Sequence, residues 1–361
     1  MKKLKKIALY SFIILILVLL AFYLSFKYET SPKRLAEFIN ENPERSSIYI
    51  IKNDSVILKK NTQKMMSLAS TMKWIVLLEY CNKVEKKIIN KNTLIDTLDL
   101  SNYYMPFTDG GAHESWIKKL EKDKKIKNGK VPLYEVARGM MLYSSNACTE
   151  YLTDFLGIEN VNNVFRKFDI KNHEKIFYLS SYNYLMITTD SLKLKKMSNS
   201  DVVAQTIQIH NKVKSKKIKL NKVFDYTPEK MALASKVFTK STTEEYAKLM
   251  QKINSNYYVS ERFKGEIDYI FESAIIKNKK RFGRVWMKGG SSASILTNAF
   301  YAKTTNGDEY YIACFLNNLR FDEYFFLSKG LNSFNLNFMT NSKEEKEYLR
   351  IINQPFMKET K

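Results

Sequence analysis

Ser70-Thr-Met-Lys73 is the first place in the chain where residue types and spacing can do chemistry. One helical turn separates the hydroxyl from the amine, so both side chains share a face. A serine hydroxyl is a weak nucleophile until a base takes its proton. A lysine becomes such a base when desolvation and nearby positive charge lower its pKa. A nucleophile at a helix start also gains from the positive end of the macrodipole. Spacing alone does not choose this pair, because Ser115-Trp-Ile-Lys118 has the same form.

Two further segments carry compatible chemistry. Tyr143-Ser-Ser-Asn146 interrupts an otherwise helical stretch. A hydroxyl at Ser144 and a carboxamide at Asn146 on such a turn can pass a proton and hold an amide. Ser181-Tyr-Asn183 shares that spacing. Lys288-Gly-Gly-Ser291 follows the strand-like Arg284-Val-Trp-Met287. Gly289 and Gly290 let a substrate backbone approach an edge strand closely. Lys288 supplies positive charge for a substrate carboxylate and for tuning its neighbours.

Other chemistries have less to work with. The only histidines are His113, His173 and His210, none paired at helix-ligand spacing, so the base is expected not to be a histidine. The three cysteines, Cys81, Cys148 and Cys314, form no C-x-x-C or Cys/His cluster. No metal and no organic cofactor is implied. The net charge of +22 raises the question of nucleic acid. Yet the lysines are spread along the chain, without a recognisable nucleic-acid-binding pattern. They read as a solvated surface, with no nucleic-acid partner and some attraction to acidic lipid or wall polymers.

The elements that must position these residues follow from periodicity. Ser31 to Pro43 predicts a short helix, with proline at its start. Ser47 to Ile51 and Val56 to Leu58 predict two strands joined by Asn53-Asp54-Ser55. Ser67 to Lys83 is apolar at helical spacing, and Pro132 to Gly157 is helical with a break near Ser144. Phe165 to Lys240 has weak periodicity. Ser241-Thr-Thr-Glu244 looks like a helix cap, with a helix to Ile253 and another over Glu261 to Ile276. Strands return at Arg284 to Met287, Ile295 to Lys303 and Tyr310 to Leu316, with Thr305-Asn-Gly-Asp308 as a hairpin turn. A helix covers about Asp322 to Phe338. Two strands at the start and three at the end most simply join in one antiparallel sheet beside a helical middle.

The chain opens Met-Lys-Lys-Leu-Lys-Lys and then runs apolar from Ile7 to Phe26. At 1.5 Å per residue that is about 30 Å, the hydrocarbon thickness of a bilayer. Lys2, Lys3, Lys5 and Lys6 stay cytoplasmic under the positive-inside rule. A cleaved signal peptide needs small residues at the cleavage site. The run here ends bulky, Phe-Tyr-Leu-Ser-Phe-Lys-Tyr. A single-pass cell-membrane anchor is therefore expected, with the catalytic domain on the periplasmic or extracellular side. The expected organisation is a stub and anchor over 1–30, one domain over 31–340, and a polar tail over 341–361.

Taken together and in this order, the three segments resemble the penicillin-recognising serine hydrolases, specifically the class A β-lactamase-like branch. Ser67-Leu-Ala-Ser-Thr-Met-Lys73 looks like that family's nucleophile segment. Met141-Leu-Tyr-Ser-Ser-Asn-Ala-Cys-Thr-Glu-Tyr-Leu152 looks like its second motif and the following helix, which selects Ser144 over Ser181. Ser241 to Met250 looks like the helix after its ω-loop. The resemblance implies an α+β fold, a five-stranded antiparallel sheet flanked by helices with a helical subdomain, plus the N-terminal transmembrane helix. It implies a monomeric catalytic domain acting on a β-lactam, peptide or other small amide.

The resemblance also implies roles. Ser70 would form the acyl-enzyme, with Lys73 acting as its base or orienting it. Ser144 would shuttle a proton to the leaving group. Asn146 would hold Lys73 and the substrate amide. Lys288, Gly290 and Ser291 would bind substrate, and the N–H groups of Ser70 and Ser291 would form an oxyanion hole. His113, in Pro106-Phe-Thr-Asp-Gly-Gly-Ala-His-Glu114, would stand at the rim. The pattern departs in four places. Ser145 replaces the usual acid of the second motif, Gly289 replaces a hydroxyl residue of the third, no arginine follows Lys288 before Arg320 to supply a carboxylate partner on the next strand, and the ω-loop glutamate signature is missing. Glu229 is the candidate deacylation base. Without one, the acyl-enzyme would persist, as in a penicillin-binding protein or sensor. Peptidase or esterase activity of the D,D type is the alternative. Trp74, Trp286 and Cys148 are expected to be buried packing residues.

Overall fold

Asn53 and Asp54 both adopt left-handed backbone, at φ 45° and 67°. That pair is what a two-residue hairpin needs to match strand twist. It joins β1 (Ser46–Lys52) to β2 (Ser55–Lys60). The chain then adds the short strands β3 (Met66–Ser67), β4 (Leu94–Asp96), β5 (Lys130–Pro132) and β6 (Lys240–Ser241). It ends with β7 (Phe282–Ser292), β8 (Ile295–Thr304) and β9 (Glu309–Leu316). The main sheet has the order β2-β1-β9-β8-β7, and every neighbouring pair is antiparallel. Strands from the two ends of the sequence therefore meet in the middle, as the strand pattern predicts.

The computed structural model describes residues 15–17, 19–20, 23–220 and 227–355. It divides the chain into two compact units, Ser46–Asn318 and a second made from Met1–Arg45 with Leu319–Lys361. The larger unit has an α+β architecture, with helices packed beside the five-stranded antiparallel sheet. Helix Thr243–Asn254 packs on β1, β8 and β9, and helix Glu261–Asn278 packs on β7. Helix Lys73–Glu85 is buried along most of its circumference, from Lys73 through Cys81. A helix apolar on all sides belongs inside a domain, and the other helices gather around it.

Local details refine the expectations. The predicted helix over Ser67 to Lys83 starts later. Met66–Ser67 is β3, paired with β6, and a 3-10 turn over Ala69–Met72 precedes helix Lys73–Glu85. The cap of helix Thr243–Asn254 is Thr242, whose hydroxyl accepts the Glu245 N–H, rather than Ser241. The weakly periodic middle forms helices Ile158–Lys167, Leu179–Thr188, Ser191–Lys196, Asn199–Lys214 and Pro228–Val237. Side-chain caps at Asp190, Ser198 and Thr227 start three of these. Side-chain capping sets these three starts in a region where apolar spacing is poor.

In the smaller unit, helix Pro32–Glu41 is capped by Ser31 and packs with helices Phe321–Thr340 and Ser342–Asn353. Gly330 lies where a Cβ would come within 3.0 Å of the Ser31 carbonyl. The expected polar tail over 341–361 instead begins as helix Ser342–Asn353, with Tyr348, Ile351 and Ile352 buried. Much of the expected membrane span (residues 7–14, 18, 21 and 22) lies outside the described residues. Among the described residues, no helix is long and apolar enough to cross a membrane.

Candidate active site

The nucleophile segment is set by backbone strain and close approach. Ala69 takes a left-handed φ of 44°, and Ser70 sits in the 3-10 turn that follows. Lys73 opens the helix that follows, and its backbone N–H donates to the Ser70 carbonyl, so the two residues stand one turn apart. Thr297 on β8 donates its hydroxyl proton to the Leu68 carbonyl at 2.7 Å and lies 2.8 Å from the Thr71 hydroxyl. This pins the turn to the sheet. A Cβ on Gly290 would meet Leu68 O at 2.5 Å and Ser70 N at 2.8 Å. Glycine is therefore required for β7 to lie against the nucleophile's backbone.

The second motif is built from a helix that fails in a useful way. Helix Leu133–Arg138 widens into a π-helical turn over Gly139–Tyr143 and stops at Ser144, whose φ is 71°. π-turns and left-handed non-glycine residues often mark functional sites. A Cβ on Gly139 would stand 2.7 Å from Cys148 Sγ and 2.8 Å from Trp116, so the turn needs glycine there. Ser145 then caps helix Asn146–Leu156, its Oγ accepting the Cys148 N–H.

These pieces converge. Lys73 is completely buried. Its Nζ donates to Ser144 O at 2.6 Å and to Asn146 Oδ1 at 3.0 Å, and lies 3.2 Å from Ser144 Oγ. Lys288 Nζ donates to Ser144 Oγ at 3.0 Å and to Gly289 O at 2.7 Å. The Ser144 hydroxyl is thus held between two buried amines. Burial pushes the Lys73 amine well below its usual range, and the charge of Lys288 lowers it further. Burial lowers Lys288 to about 7. The arrangement can keep a lysine neutral and able to take a proton.

The remaining expected residues are placed as follows. Ser291 is exposed at the end of β7, one residue beyond Gly290. His113, expected at the rim, is buried behind the second motif, where Nδ1 hydrogen-bonds Ser145 Oγ at 2.9 Å and the ring stacks on Tyr104. Burial lowers its pKa. Glu229 lies in helix Pro228–Val237, 55% exposed, ion-paired with Lys195 at 2.9 Å. It is not among the residues that bond Lys73 or Ser144. The rival matches separate cleanly. Ser115 and Lys118 are both exposed on a helix, and Ser181 is buried and bonded to Glu150 through N and Oγ. Trp74 and Trp286 are fully buried. Burial pushes the Cys148 thiol up to about 12.

Three contributors were not singled out from sequence: Thr297, Thr108 and Asp109. Thr108 O accepts Asn146 Nδ2 at 3.2 Å, and Asp109 Oδ2 accepts Asn146 N at 3.3 Å. The adjacent Phe107 is 73% exposed with a left-handed φ of 63°. Gly110-Gly111 and His113 were the sequence signals for this loop.

A serine one turn before a buried amine, with that amine joined to a second hydroxyl and through it to a second amine, is an arrangement suited to acyl transfer by an active-site serine. The profile of the Beta-lactamase enzyme family matches residues 31–324, and the chain belongs to that family. Among solved structures it is similar to a representative class A β-lactamase from Bacteroides cellulosilyticus, at 18% identity and a TM-score of 0.52, covering 90% of this chain and 99% of that one. A β-lactamase from Chitinophaga pinensis matches at 14% identity and a TM-score of 0.52, covering 84% and 97%. PBP-A matches at 14% identity and a TM-score of 0.51, covering 87% and 96%. These likenesses are of fold. No curated protein matches the sequence.

Proposed function

We propose that this chain is a membrane-anchored serine hydrolase that opens β-lactams through an acyl-enzyme on Ser70 and deacylates slowly. The observation that carries the reading is the Ser144 hydroxyl held between Lys73 and Lys288. Ser70 Oγ attacks the lactam carbonyl carbon while its proton passes to the neutral Lys73 amine. The oxyanion is met by the N–H groups of Ser70 and Ser291, and losing one such donor costs about 2.7–4 kcal/mol in the transition state. The C–N bond then breaks. The ring nitrogen takes the Ser144 proton, and Lys73 returns a proton to Ser144. Asn146 orients Lys73 and meets the substrate amide. Lys288 steadies Ser144 and attracts the substrate carboxylate.

Hydrolysis of the ester needs a water and a base. Among the described residues, no carboxylate hydrogen-bonds Lys73 or the Ser144 hydroxyl. Glu229 is the sequence candidate, and its exposure and its pairing with Lys195 favour a long-lived acyl-enzyme over rapid turnover. That favours the second reading, a penicillin-binding or D,D-peptidase type of site, for the deacylation half of the cycle.

Anchoring is supported by sequence and by exposed side chains. Leu15, Ile16, Leu17, Leu19, Leu20 and Leu24 are all exposed apolar residues before the domain. We place the domain outside the cytoplasmic membrane as a monomer. Retention of the chain in alkaline-washed membranes tests the anchor, and release would reject it.

Time-resolved intact-mass spectrometry of the full chain with a penicillin tests the chemistry. A slowly vanishing adduct, absent in Ser70→Ala, is the expected result. Label that survives in Ser70→Ala would reject Ser70 as the nucleophile.

A further inference from the structure

We propose that Asp109 is a positioning carboxylate of this site, tying the loop that carries it to the Ser144–Asn146 turn. The inference rests on the acyl-transfer reading above. One carboxylate spans two helix starts. Oδ1 accepts Ala112 N at 3.2 Å, at the head of helix Ala112–Lys122. Oδ2 accepts Asn146 N at 3.3 Å, at the head of helix Asn146–Leu156. Both helix dipoles favour negative charge there. The neighbouring Thr108 carbonyl accepts the Asn146 side chain, so the loop holds Asn146 by main chain and side chain together. Asn146 Oδ1 in turn holds Lys73.

The loop is shaped for this contact. Gly110 and Gly111 take φ of 63° and 81°, with nothing within 4 Å of either Cβ position. They turn the chain sharply after Asp109 so that helix Ala112–Lys122 can begin. The second motif's own middle residue is already used. Ser145 Oγ bonds His113 and caps Cys148, and brings no charge.

Asp109 also opposes the positive charge at the site. The groups acting on Lys73 are Lys288 from β7, Asp109 from the loop and Cys148 from the following helix. Lys288 lowers the Lys73 pKa, whereas Asp109 and Cys148 raise it. Around Asp109 itself stand Lys73 and the buried His113, whose pKa it also raises. Removing the Asp109 charge must therefore move Lys73 downward, whatever it does to the loop.

The test is an NMR titration of the Lys73 amine in full-length chain carrying lysine labelled with carbon-13 at Cε. The resonance is assigned by its loss in Lys73→Arg. Acylation by a fluorescent penicillin is followed across the same pH range. Asp109→Asn and Asp109→Ser keep an acceptor for one N–H and remove the charge, while Asp109→Glu keeps the charge. The neutral variants should lower the Lys73 midpoint, the direction expected for losing a nearby negative charge. The acid limb of acylation should move down with it, and Asp109→Glu should hold both in place. A purely structural role would slow acylation at every pH without moving the midpoint. An unmoved midpoint in the neutral variants, or an equal shift in Asp109→Glu, overturns the inference. Failure of the parent chain to acylate would sink the β-lactam reading instead, and the Lys73 midpoint would still judge Asp109.

Discussion

Replacing Lys288 by Met should stabilise the protein while disabling it, and by an amount that depends on pH. Lys288 is buried, and its pKa falls from 10.5 to about 7 on folding. Between those values the unfolded chain binds more protons than the folded one, so stability rises with pH across that window. At pH 7 the proton-linked cost of folding with this lysine is about 4–5 kcal/mol, and roughly 2 kcal/mol of it disappears by pH 9. Methionine has a similar length and no charge. It forfeits two hydrogen bonds, to Ser144 Oγ and Gly289 O, each worth about 1 kcal/mol. The net expectation is that Lys288→Met is about 2 kcal/mol more stable than the parent at pH 7 and about equal to it at pH 9. Urea unfolding of the full chain in detergent, at both pH values, measures the gap. A gap that does not narrow with rising pH would refute the claim that a buried, readily neutralised Lys288 opposes folding. The same variant should acylate at least about 100-fold more slowly, the scale of losing one preorganised electrostatic contact.

Further predictions concern the glycines and Glu229. Gly290→Ala drives a Cβ to 2.5 Å from Leu68 O; it should cost about 2 kcal/mol or more of stability and most of the acylation rate, read by thermal unfolding and penicillin labelling. Gly289 is different, because its exposed Cβ position has Thr297 O at 3.6 Å as its nearest neighbour. Gly289→Thr should fold normally and bind carboxylate-bearing lactams several-fold better, about 1 kcal/mol for one hydrogen bond, measured as the second-order rate of acylation. Gly139→Ala would crowd Cys148 and Trp116; a loss of about 1–3 kcal/mol is expected from overpacking, with unchanged stability arguing against the close packing of the π-turn. Glu229→Gln should leave the acyl-enzyme lifetime unchanged, and a markedly prolonged adduct by intact mass would instead make Glu229 the deacylation base.

Much of this protein was legible before folding. Two short apolar runs and the Asn53-Asp54 turn between them were enough to pair β1 with β2, and the ordered motifs named Ser70, Lys73, Ser144, Asn146 and Lys288. Those are local patterns, carried by spacing within a few residues. The start of the nucleophile helix was misplaced because β3 forms only through pairing with β6, a partner far away in sequence. The middle helices were obscure because side-chain caps and tertiary packing, more than apolar spacing, define them.

The rest of the site depends on contacts that spacing does not encode. Sequence supplied a serine and a lysine one turn apart, but their chemistry depends on desolvation, and burial is a property of the assembled fold. Lys288 reaches Ser144 only because Gly290 lets β7 lie against the nucleophile's backbone. His113 turns inward to Ser145 instead of outward to the rim, because it lies on the buried face of helix Ala112–Lys122. Sequence alone determined which residues could react and in what order they occur. Tertiary structure decided which amines are stripped of water, which carboxylate faces them and which merely sits in solvent, because those are questions of distance and dielectric.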